Sequence, residues 1–85
     1  MKTVHYSCRS GIDMVPKKDQ DELRRRLMEA FGNPSYAGYY NKTADYKNIP
    51  YHVKLDIDNI FRDFGVDPEK AWNIWETNEE ETTNN

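Results

Sequence analysis

The run Phe64-Gly65-Val66-Asp67-Pro68-Glu69 constrains the fold more tightly than any other part of this chain. Gly65 supplies the left-handed residue that ends a helix, and Val66 falls where such an ending places an apolar residue, within reach of Phe61. Asp67 is a strong N-cap, Pro68 suits the first helical position, and Glu69 adds negative charge to the first turn. Two helices joined by a very short turn are therefore expected. Before the junction, Val53, Ile57, Ile60, Phe61 and Phe64 form a helical stripe. Tyr51, Val53, Leu55 and Ile57 also alternate like a strand, and Pro50 suits either start. The pattern favours a helix from about residue 51. The second helix is expected to run from Pro68 to about Thr77, with Trp72 and Trp75 three apart on one face.

Upstream, residues 2–8 read as a strand in which Val4, Tyr6 and Cys8 alternate with Thr3, His5 and Ser7. Arg9 to Val15 reads as a connector. Residues 17–31 read as an amphipathic helix with Leu23, Leu27, Ala30 and Phe31 on its buried stripe. Asp21 with Arg25 and Glu22 with Arg26 are spaced as intrahelical ion pairs. Gly32 is the expected cap, and Pro34 prevents continuation. Residues 33–49 hold Tyr36, Tyr39, Tyr40 and Tyr46. So long an unstructured loop is unusual in a compact domain, and a short strand or helical turn is expected near 35–41.

The chain has 85 residues, 36% of them apolar and 32% charged. That suffices for one domain with a small core, and self-association or a partner would add buried surface. The expected architecture is α+β: one or two short strands packed with about three helices, over residues 1–78. Residues 79–85 are polar and charged, and read as a disordered tail. A lone Cys8 excludes a disulfide framework and fits a reducing, cytoplasmic setting. No stretch reads as a signal peptide or a membrane span. The net charge of −3 is uneven. Residues 1–54 carry ten basic and six acidic side chains, residues 55–85 two and nine.

No motif specifies an activity. His5, Cys8 and His52 are too few for a zinc site, and positions 5 and 8 of a strand face opposite ways. Asp56-Ile57-Asp58-Asn59-Ile60 lacks the glycine and the acidic spacing of a calcium loop. Neither metal nor cofactor is expected. A nucleophilic Cys8 has no helix N-terminus after it to lower its pKa, and a core role suits it better. Lys17, Lys18, Arg24, Arg25 and Arg26 give the 17–31 helix a basic face beside tyrosines, the composition that single-stranded nucleic acid requires. Against this stand the chain's acidity and the neighbouring carboxylates. Glu69 and Glu76 would likewise repel DNA phosphates from the last helix.

Tyr36, Tyr39, Tyr40, Tyr46, Trp72 and Trp75 are the candidate contact residues, because tyrosine and tryptophan concentrate at binding hot spots. The expectation is a non-catalytic regulator or inhibitor that docks on a larger cytosolic protein. Its composition suits a phage-encoded modulator of host machinery. The alternative is a nucleic-acid-binding accessory protein that uses the basic helix.

Overall fold

The computed structural model describes residues 2–78. The chain runs β1 (Lys2–Ser7), α1 (Arg9–Met14), a 3-10 turn (Lys17–Asp19), α2 (Gln20–Ala30), α3 (Tyr36–Ala44), β2 (Tyr46–Lys47), α4 (Tyr51–Asp63), α5 (Pro68–Ala71) and β3 (Asn73–Asn78). The strands form one antiparallel sheet in the order β2-β1-β3. The protein is thus a small α+β domain, as expected, with more elements than the sequence had shown. The expected tail at 79–85 lies outside the described residues.

The helix endings follow from local chemistry. Gly65 sits at φ +80°, its N–H bonded to Arg62 O at 3.0 Å, while Val66 N–H reaches Phe61 O at 2.9 Å. That is a Schellman ending, and Val66 is buried in the core. Gly32 and Asn33 end α2 with the same pair of bonds, to Glu29 O and Met28 O. Asp67 caps α5 by accepting a hydrogen bond from Glu69 N–H at 3.0 Å. Ser35 caps α3 by accepting one from Gly38 N–H at 3.1 Å. The tyrosine-rich segment is therefore a nine-residue helix, longer than the expected turn, and it leads directly into β2.

Two expectations need correction. The segment Arg9 to Val15 is a helix over Arg9–Met14, although glycine at its centre lowers helix propensity. Packing is the reason. Gly11 lets α1 approach so closely that a Cβ there would lie 2.5 Å from Ala71 Cβ and 2.8 Å from Phe61 Cζ. The second correction concerns the chain after Pro68. Its helix stops at Ala71, Trp72 is extended (φ −107°, ψ 142°), and Asn73–Asn78 is strand β3. Ile74, Trp75 and Thr77 are good strand formers, and pairing with β1 outweighs the three-residue spacing of the tryptophans. The register runs from Lys2 opposite Asn78 to Ser7 opposite Asn73.

Phe61, Leu23, Leu27 and Ile57 are fully buried, so the core lies between α2 and α4. Tyr6 and Tyr46, paired across β1 and β2, pack onto it from the sheet. The opposite face of β1 carries Thr3, His5 and Ser7, yet these are buried too. A central strand is flanked on both sides, so neighbouring side chains cover even its polar face.

Contrary to expectation, Cys8 does stand before a helix N-terminus, as the N-cap residue of α1, but it is fully buried, and burial pushes its thiol from 9.0 up to about 12. Burial likewise raises the Tyr39 hydroxyl from 10.0 to about 12. Both groups have folded pKa values above their unfolded ones, so the fold favours their neutral forms. Their contribution is fully present below pH 9 and is lost as pH rises towards 12. The midpoint in urea should therefore fall between pH 9 and pH 11. At pH 8 a thiol-reactive dye should label Cys8 only at the rate of unfolding. Rapid labelling without denaturant would contradict this placement.

Candidate functional site

Strand β3 is the most exposed regular element among the described residues: every position from Asn73 to Asn78 is exposed. It lies at one edge of the sheet, with β1 on one side. Successive side chains of a strand point to opposite faces. Ile74 stands on the face shared with Tyr6, and Trp75 on the face shared with His5. Ile74 is 52% exposed and Trp75 is 42% exposed.

Trp75 is held by a polar chain on the outer face. Its ring stacks on the His5 imidazole, with centroids 5.1 Å apart and planes 5° from parallel. His5 Nδ1 lies 2.8 Å from Asp45 Oδ1, and Nε2 lies 2.8 Å from Thr77 Oγ1. The Asp45 carboxylate can only accept, so Nδ1–H donates to it, and Nε2 and the Thr77 hydroxyl share the second hydrogen bond. A carboxylate, an imidazole and a hydroxyl in this order also occur in hydrolytic triads. Here the imidazole is buried beneath an indole, and the chain of bonds ties β3 to β1 and to the residue before β2. Asn73 Nδ2 donates to Ser10 Oγ at 3.0 Å and anchors the start of the strand.

Trp72 lies on the other side of the sheet, between β3 and α4. Its indole Nε1–H donates to Asp58 Oδ1 at 2.6 Å, and its ring meets Tyr6 edge-on at 6.1 Å. Lys54 donates to Asp58 Oδ2 at 3.1 Å and sits 5.2 Å above the Trp72 ring. Asp58 thus fixes both the indole and the ammonium. Beside them opens a cleft of about 310 Å³ bordered by Lys54, Arg62, Glu69, Trp72 and Ile74. Tyr51 and Leu55 are also exposed on α4.

The predicted tyrosines divide. Tyr36 and Tyr40 are exposed, Tyr39 is buried in the core, and Tyr46 is half-buried against Phe31. The basic residues divide as well. Arg24 lies 5.7 Å from the Tyr36 ring, and Arg9, which sequence reasoning had passed over, lies 5.5 Å from the Tyr40 ring. Arg9, Arg24 and Tyr40 border a cleft of about 190 Å³. Arg25 is engaged by Glu22 and Glu29, and Arg26 by Asp63 at 2.8 Å. The α2 ion pairs bridge positions different from those the spacing suggested. Lys17 and Lys18 are exposed on the 3-10 turn. The five basic residues therefore do not form one continuous face.

Ile74, Lys54 and Asp58 were also missed. The strand-forming residue types at Ile74, Trp75 and Thr77 could have marked the strand and hence the edge. Among the described residues no group of three or more His, Cys, Asp or Glu side chains could hold a metal ion. No helix of the described residues is long and apolar enough to cross a membrane. A scan against protein-family models and searches of curated proteins and of solved structures find no match to this chain.

Proposed function

We propose that this protein is a non-catalytic binding module, a small regulator or inhibitor whose docking surface is strand β3 and the cleft beside it. The observation that carries the reading is an exposed six-residue edge strand with Ile74 and Trp75 on its two faces. Well-packed monomers bury such residues or interrupt such strands, and exposed aromatic residues held rigid by their neighbours are typical binding anchors. In this reading Trp75, on strand β3, and the half-buried Trp72 just before it are contact residues presented by a strand instead of a helix. Of the tyrosines, Tyr36 and Tyr40 offer a second exposed surface.

The test is affinity capture from a nuclease-treated lysate of the source cells, using the wild-type chain and an Ile74→Lys/Trp75→Ala variant of unchanged circular dichroism. The wild type should retain a discrete protein that the variant loses at least tenfold, while Tyr36→Ala/Tyr40→Ala retains it. Equal recovery by the β3 variant would overturn the surface.

One observation favours the second reading, a nucleic-acid accessory protein. Arg24 stands by the Tyr36 ring and Arg9 by the Tyr40 ring, and both arginines border one cleft with Tyr40. That reading requires binding of a labelled single-stranded oligonucleotide that weakens steeply with salt. It falls if no binding occurs at low salt.

A further inference from the structure

Edge strands are normally protected by being short, by bulges, or by proline or lysine. The β3 sequence Asn73-Ile74-Trp75-Glu76-Thr77-Asn78 has no proline, lysine or glycine, and it pairs with β1 in unbroken register. No strand covers its other side among the described residues. The outer edge from Asn73 to Thr77 is thus a regular template for another strand. A strand laid along it would pass the cleft bordered by Trp72, Ile74 and Lys54. Because side chains alternate, every second residue of that strand would face the Ile74 side and the cleft. The residues between would face the side on which Trp75 stands.

Charge selects the occupant. The described stretch 67–78 carries three carboxylates, Asp67, Glu69 and Glu76, and one lysine, and three further glutamates follow it in the sequence. A second copy of the chain paired along β3 would bring two such stretches together, and like charges across a sheet are unfavourable. A cationic segment is attracted instead, and its ammonium groups would meet the exposed Trp75 ring, whose quadrupole favours cations. The geometry points to a specific ligand: an extended segment of another protein, in which lysine or arginine alternates with apolar residues, adds to β3 as a fourth strand. Its apolar side chains occupy the Trp72–Ile74 cleft and its cationic ones lie over Trp75. Main-chain hydrogen bonds would supply affinity, and the cleft would supply the choice of sequence. The inference rests on the protein-binding reading above and gives it a mode and a partner chemistry.

The probe is the synthetic peptide Lys-Val-Lys-Leu-Lys-Val-Lys, titrated into the intact chain. Trp72 and Trp75 are the chain's two tryptophans, so intrinsic fluorescence reports from both sides of the strand. Saturable binding is expected, with one peptide per chain by light scattering. It should weaken at least tenfold when alternate peptide nitrogens are methylated, and at least tenfold in Ile74→Lys. The counterpart Glu-Val-Glu-Leu-Glu-Val-Glu should not bind. No saturation at millimolar peptide, equal binding of the methylated or the acidic peptide, or a chain that is already dimeric through β3 would each overturn the inference. If lysate capture depends on β3 while the peptide fails, strand addition is wrong and the protein-binding reading stands. If both fail, both are wrong.

Discussion

Replacing Phe61 with Ala should lower the unfolding free energy by about 3–5 kcal/mol, read as a fall in the urea midpoint at unchanged slope. Phe61 is fully buried and is the largest such side chain in the core. Its ring meets α1 at Gly11, and its backbone carbonyl accepts the bond from Val66 N–H that closes α4. The loss combines the transfer of an aromatic side chain with an unfilled cavity between three helices. Domains hold roughly 0.05–0.15 kcal/mol per residue, so a change of this size removes a large part of the total. A loss below about 1 kcal/mol would show that the helices close over the gap or do not meet at this ring.

The second large effect has the opposite sign from the one local propensity gives. Glycine inside a helix costs roughly 0.5–1 kcal/mol relative to alanine, so propensity alone makes Gly11→Ala stabilising. Packing makes it destabilising. The new Cβ would lie 2.5 Å from Ala71 Cβ and 2.8 and 2.9 Å from two Phe61 ring carbons. Neither neighbour yields easily, since Ala71 Cβ is fixed to its backbone and the ring is enclosed. Overpacking of this kind costs about 1–3 kcal/mol. Ala71→Gly in the same chain should recover part of the loss, because it removes the nearer clash, and the double-mutant cycle should show coupling above 0.5 kcal/mol. Equal or greater stability of Gly11→Ala in urea would show that α1 does not sit against α5 as described.

These two positions mark where sequence reasoning reaches and where it stops. The α4–α5 junction was legible residue by residue, because left-handed glycine, N-cap aspartate and first-turn proline act within a few bonds of one another. Leu23, Leu27, Ile57 and Phe61 were legible as core because helical spacing exposes a stripe wherever the helix later docks. The α1 helix was not legible. Its glycine argues against a helix locally, and only contact with Ala71 and Phe61, fifty or more residues away, makes that glycine an advantage.

The candidate site divides in the same way. The composition singled out Trp72 and Trp75 as contact residues, since tryptophan concentrates at binding hot spots. It could not place them. Spacing of three suits a helix face, and the residue types at Ile74, Trp75 and Thr77 suit a strand. The choice fell to β1, more than sixty residues earlier, whose backbone pairs with β3 along its whole length. That pairing buries His5 under Trp75 and brings Thr77 to its Nε2, while the β1–β2 pairing brings Asp45 to its Nδ1. Caps, turns and stripes depend on neighbours in the chain, so the sequence by itself determined them. The bare edge, the cleft against α4 and the partition of the arginines depend on neighbours in space, so only the tertiary structure decided them.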